Sequence, residues 1–313
     1  MVSIVLSDGD DEWIARIKGV IPTVESLRKR TKSVQAISPR SSLRADAFAD
    51  IDVEAAVWYQ LAVSVEHLAF VVDALTKTGT LYPSVYMTVL RTAFVSAVNA
   101  KWQLVGDRNT RRKRCLVLKA EGLQKALQAC RDYPDTDDLA MLARQENEDD
   151  LNDKLMWLQS QADSADLSIN VLECRFNQTK VIKKVVENSF VSVEDSYVRL
   201  VLLRIWRNGS AAAHALSQFA LGRTIIQEEP ENNRPAVGAL VADVEYDIGP
   251  AFLGTFMILK TAFDLYDLRR CDPIELLNGS APSLRQWIVP SELLRLSHPN
   301  PPRNPQNANS LLE

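Results

Sequence analysis

Tyr197-Val198-Arg199-Leu200-Val201-Leu202-Leu203-Arg204-Ile205-Trp206 runs directly into Arg207-Asn208-Gly209-Ser210-Ala211-Ala212-Ala213-His214. The first ten residues are the most apolar helix candidate in the chain, and their apolar positions fit a helical period. The next eight hold one of only three histidines and interrupt the pattern with an Asn-Gly pair. Taken as one uninterrupted helix over 197–221, seven residues at about 100° each bring His214 back to nearly the azimuth of Arg207, about 10 Å further along the axis. The same stripe carries Leu200, Leu203, Ala211 and Leu221. It is therefore expected to face other protein, where a cation and an imidazole are expensive unless paired. Taken with a break at Asn208-Gly209, Ser210 caps a new helix over 211–221, and the free N–H groups of Ala211, Ala212 and Ala213 make an anion-binding helix start. Either geometry gathers a cation, a proton-transfer group and an open surface.

Outward from this stretch the chain reads as all-α, a helical bundle. It has 313 residues, 46% of them hydrophobic, which is ample for a sizeable core in one or two domains. Eleven glycines is few for this length. Short helices are expected over 11–21, stopping at Pro22, and over 24–30. Val57, Leu61, Val65, Leu68, Val72 and Leu75 make a core-facing stripe on a helix over 52–76. Pro83 suits the first turn of the next, over 84–105, with a stripe of Val85, Val89, Ala93, Val98 and Trp102. Further helices are expected over 109–133, from the acidic region 135–153 onward through Leu158, near 181–186, over 192–222, over 251–267 and, more weakly, over 283–296. Residues 223–248 read as either a short β-hairpin or an ordered loop. The expected organisation is a peripheral segment 1–40, a main helical domain 41–296 and a Pro/Asn-rich disordered tail 297–313.

The formal net charge of −4 does not mark the whole chain as a nucleic-acid binder, although a local basic patch would suffice. The four cysteines are widely spaced, which suits a reducing compartment and buried thiols and matches no zinc pattern. The first residues lack the features of a signal peptide, and no apolar run reaches the roughly 18 residues of a membrane helix. A cytoplasmic protein with no membrane contact is the expectation. Gly-rich phosphate loops, nucleophile elbows and His-Glu-x-x-His motifs are missing.

Arg207, six intervening residues and His214, with Asn208 in the polar position after the arginine, resemble the R-x(4–6)-H signature of the HEPN superfamily. These are helical-bundle proteins that include many metal-independent ribonucleases of toxin and antiphage systems. The direct resemblance covers residues 194–222; the rest matches in class alone, with an insertion around 135–190. The resemblance implies a metal-independent endoribonuclease, a toxin or phage-defence effector, that needs no cofactor. His214 would act as general base or acid, Arg207 would neutralise the transition state and Asn208 would orient phosphate or imidazole. It implies an RNA substrate, a homodimer with two motifs face to face, and an antitoxin or defence-system partner.

Each feature also has a plainer reading. Arg207 and His214 could make a helix–helix contact, with the chain a catalytically inactive protein–protein interaction module. Ser210 and the basic run Arg108, Arg111, Arg112, Lys113 and Arg114 are candidate RNA-binding residues, the run being otherwise a solvated helix start opposed to the helix dipole. His67 is an edge-of-core histidine or a liner of the same cleft. Trp58, Trp102, Trp157 and Trp206 fall at core-like positions.

Overall fold

The computed structural model describes residues 8–78, 82–134, 136–192, 195–216, 224–228, 235–240 and 244–274. Among them nine α-helices follow one another: α1 (Asp8–Thr31), α2 (Ser42–Asp46), α3 (Val53–Thr78), α4 (Pro83–Leu104), α5 (Arg108–Arg131), α6 (Asp138–Ser164), α7 (Gln178–Ser189), α8 (Ser196–Ala213) and α9 (Gly249–Arg270). The one sheet is a hairpin, β1 (Thr224–Glu228) antiparallel to β2 (Pro235–Leu240), with Glu228 opposite Pro235. It lies within the stretch expected to be a hairpin or a loop. The protein is an all-α bundle.

α4 is the centre, with α3, α8 and α9 packed around it. Three neighbours explain why its expected stripe is only part of the truth. Ala93 and Val98 are buried, but Val85 is half exposed, and Tyr86, Leu90, Phe94 and Leu104 fill the core instead. A helix covered on several sides is apolar nearly all round, so no single stripe identifies its inner face. α3 has one covered side and its stripe is as read: Val57, Leu61, Val65, Leu68 and Val72 are buried.

α1 overturns two expectations. Pro22 does not end a helix; it sits inside one 24-residue helix. Trp13, Ile17, Val20, Val24 and Leu27 recur along one side of α1 and are all buried, and α1 packs on α3 and α9. Burial of five large side chains at about 1.5–3 kcal/mol each outweighs the roughly 3 kcal/mol of an interior proline. The segment read as peripheral is thus part of the core.

α9 begins from a π-helical turn, Val244–Ile248, and is buried over most of its length, including Phe252, Phe256, Phe263 and Tyr266. Two stretches, Val53–Thr78 and Val244–Arg270, are long and apolar enough to cross a membrane by length and composition, contrary to the expectation that none is. Most of the second is buried inside the bundle, as core helices are. Trp157 is also corrected: it is 42% exposed on α6, whereas Trp58, Trp102 and Trp206 pack against the core. The expected helix over 283–296 and the tail lie outside the described residues.

Candidate active site on α8

α8 passes through Asn208-Gly209 without a break and continues to Ala213. Glycine is there for space, not for flexibility. A Cβ at Gly209 would stand 2.4 Å from Arg91 Cβ and 2.8 Å from the Met87 carbonyl oxygen, so α4 can lie against α8 only where no side chain intervenes. The helix ends after the motif. His214 is the C-cap residue, its N–H donating to the Ser210 carbonyl; Ala215 turns left-handed at φ 49°, and the Leu216 N–H returns to the Ala211 carbonyl at 2.9 Å. These are the bonds of a helix C-terminus. The reading in which Ser210 caps a new helix is overturned, and the N–H groups of Ala211–Ala213 are not an anion-binding start. Continuation of the helix over 217–222 falls outside the described residues.

Val198, Val201, Leu202, Ile205, Gly209 and Ala212 form the buried side of α8, and Ala211 is buried as well. Arg207 and His214 lie roughly opposite, as their shared azimuth requires, and both are exposed. Leu200, on the same stripe, is 53% exposed. The stripe therefore faces solvent at Leu200, Arg207 and His214, while Ala211 is buried and Leu203 packs against the core. The cause is that α4, α7 and α9 all approach from the other side. Neither Arg207 nor His214 makes a side-chain hydrogen bond or ion pair among the described residues. Ser210, three residues after Arg207 and four before His214, lies between them on one face. Asn208 is about 100° round the helix from Arg207. It lines a shallow open depression with Arg204, Tyr197, Met87, Tyr246 and Asp247, which neither Arg207 nor His214 lines.

The residue that sequence reasoning missed is Arg91 of α4. Its Nε donates to Ser210 Oγ at 2.8 Å and its guanidinium lies 4.5 Å from the centre of the Trp206 ring. Partial burial lowers its pKa. The signal was Gly209-Ser210 itself: a glycine inside a helix costs about 1 kcal/mol relative to alanine and usually marks a close approach.

The basic run at the start of α5 does something else. Asp107 caps the helix, its carboxylate accepting from the Thr110 N–H at 2.7 Å. Arg111 is buried, joined to the buried Asp46 carboxylate through Nε and Nη2 and to the Gly106 carbonyl through Nη1. Arg112 donates to the carbonyls of Ala45, Asp46 and Ala47 and lies over Phe48. Arg114 donates to the carbonyls of Trp102 and Val105 and lies over Trp102. These three arginines hold α2 and the α4–α5 turn in place, so the expected phosphate-facing patch is not formed. Arg108 is exposed and Lys113 half-buried. The run starts beyond the end of α4; from Arg91 to Leu104 alone is thirteen residues of helix, about 20 Å.

His67 is on α3, its Nδ1 paired with the Val63 carbonyl at 2.9 Å, and is not among the residues lining the depression. All four cysteines are free, and burial raises the Cys115 thiol to about 12, which leaves it unreactive. Lys101, between α4 and α9, donates to Thr261 Oγ1 at 2.8 Å; burial lowers its pKa to about 8, partly opposed by Asp264. No group of three His, Cys, Asp or Glu among the described residues is placed to hold a metal ion. No family model, curated protein or solved structure matches the chain.

Proposed function

We propose that the chain is a HEPN-like endoribonuclease whose site is the outer stripe of α8. The observation that supports this most is the exposure of Arg207 and His214 on one helix face, with Ser210 between them and no side-chain partner for either among the described residues. A charge and an imidazole left open and unpaired are available for chemistry in a way that Arg111, Arg112 and Arg114 are not. In this reading His214 takes the proton of an RNA 2′-hydroxyl as that oxygen attacks the adjacent phosphorus, and a proton is then delivered to the departing 5′-oxygen. The products are a 2′,3′-cyclic phosphate and a 5′-hydroxyl. Arg207 neutralises the charge that builds on the phosphorane oxygens. Asn208, on the flank of the stripe, positions the strand from the neighbouring depression.

One convex helix face does not enclose a substrate, so the proposal includes a second copy whose α8 stripe supplies the facing wall. Its cellular role would be that of a cytoplasmic toxin or phage-defence effector held in check by a partner protein. The test is expression of wild type and His214→Ala, with growth and RNA cleavage in EDTA compared, and the product ends mapped. Cleavage and toxicity that both require His214 support the reading; wild type with neither ends it.

A second reading, a catalytically inactive interaction module, draws on the exposed apolar residues. Leu200 lies on the α8 stripe itself, and Leu139, Leu142 and Trp157 are exposed on α6. Apolar groups left open on two helices suit a protein partner. Capture of a partner that His214→Ala leaves intact, with no RNA cleaved, would favour it.

A further inference from the structure

Arg91 stands apart from most other partly covered arginines; Arg269, with one 3.4 Å bond to the Gly106 carbonyl, comes nearest to it. Arg111 has a carboxylate and a carbonyl, Arg112 and Arg114 have two or three carbonyls each, Arg199 has the carbonyls of Phe190 and Ser192, and Arg30 has the Asp267 carboxylate. In each case a carboxylate or carbonyl oxygen meets the guanidinium. Arg91 has one neutral hydroxyl, on Ser210, and an aromatic face. Only its Nε is engaged; Nη1 and Nη2 have no hydrogen-bond partner among the described residues. Taking a guanidinium partly out of water without an anionic partner is unfavourable, and burial does lower its pKa.

The position is as telling as the missing partner. Gly209 lets α4 close onto α8, and that approach delivers Arg91 to Ser210, the residue between Arg207 and His214. Its guanidinium lies over the Trp206 ring and its Nε is held by Ser210, so the cation is ordered before any ligand arrives. A planar cation held at Nε and free along the Nη edge is suited to an oxyanion, which two parallel N–H groups can grip.

We infer that Arg91 is an anion-binding residue of the α8 stripe, taking a phosphate of single-stranded RNA beside the one that Arg207 meets. This rests on the ribonuclease reading for the identity of the anion, and on the α4–α8 geometry for the site. Arg91 would hold the strand in register, while Arg207 and His214 act on the scissile phosphate.

The test uses the full-length protein and a short single-stranded RNA whose riboses are all 2′-O-methylated, so that it binds but cannot be cleaved. Binding is followed by fluorescence anisotropy across a salt series, and cleavage is measured separately on the unmodified strand. Arg91→Met and Arg91→Gln are expected to bind about 10-fold more weakly. The slope of log affinity against log salt should fall by about 0.7, the loss of one phosphate contact on a single strand. A purely structural arginine would not move that slope. Arg91→Gln keeps an amide able to reach Ser210, should Arg91→Met fail to fold. Ser210→Ala, which frees the guanidinium from its tether, is expected to lose affinity a few-fold and serves if neither Arg91 variant folds; unchanged affinity there overturns the inference. Full affinity with an unchanged slope in a folded Arg91 variant overturns it, whatever His214 does. Weaker binding in the Arg91 variants, with a wild type that cleaves no RNA, keeps the anion site and ends the ribonuclease reading. A wild type that does not bind the RNA ends both.

Discussion

Two arginine-bearing helix segments, the start of α5 and the end of α8, put the same side chain to opposite ends. On α5 Arg111, Arg112 and Arg114 turn inward. Arg111 meets a buried carboxylate, and Arg112 and Arg114 satisfy five carbonyls of the chain's own turns. On α8 Arg207 turns outward beside His214, and Arg91 reaches the same face from α4 with its Nη edge open among the described residues. By sequence the α5 run is the more basic and the better candidate for a phosphate. Density of charge was the wrong measure: a guanidinium already committed to carboxylate or carbonyl oxygens of its own chain has fewer donors left for a ligand.

The largest expected effect is on activity. His214→Ala should reduce RNA cleavage by about 10²- to 10⁴-fold, as loss of a general acid–base does, without lowering the unfolding midpoint. A folded His214→Ala protein with wild-type cleavage would remove the distinction between the two segments. Next comes Asp46→Ala, which strands the buried Arg111 and should destabilise by about 3–5 kcal/mol in urea unfolding. A loss below about 1 kcal/mol would mean that the α5 cluster is not a structural clamp. Gly209→Ala drives a methyl group into Arg91 and the Met87 carbonyl and should cost about 1–3 kcal/mol, with RNA affinity falling alongside stability.

Lys101 sharpens the same contrast through pH. Its pKa is about 8 when folded and near 10.5 when unfolded, so between these values the unfolded chain binds the extra proton and stability rises with pH. Relative to Lys101→Met, the wild type should gain on the order of 2 kcal/mol between pH 8 and 10.5, read by urea titration at each pH. No gain would mean that Asp264 keeps the ammonium fully charged. The smallest effects belong to the exposed arginines. Arg207→Ala and Arg108→Ala should each change stability by less than about 0.5 kcal/mol, but only Arg207→Ala should lose cleavage.

Much of the bundle was legible because helical periodicity reports burial on one side. α3 shows it cleanly, from Val57 to Val72. Where it misled, the cause was a neighbour that no local pattern contains. α4 is covered by three helices and has no single stripe, and the buried side of α1 carries the helix through Pro22. The pair Arg207 and His214 could be placed on one azimuth from spacing alone. Which way that azimuth pointed could not, since a stripe with Leu200, Leu203 and Ala211 reads as buried throughout, whereas only Ala211 is buried and Leu200 is exposed once α4, α7 and α9 are packed on α8.

By itself the sequence determined that the chain is helical, that Arg207 and His214 share a helix face, and that Gly209 is unusual where it stands. Those follow from the fixed rotation of the α-helix and from the penalty glycine carries inside it. The tertiary structure alone decided that Gly209 admits α4, that Arg91 thereby joins the face, and that Arg111, Arg112 and Arg114 are consumed within the fold. Each of these depends on which backbone oxygens and which neighbouring helix come within about 3 Å of a given side chain, and that distance is set by chain segments far apart in sequence.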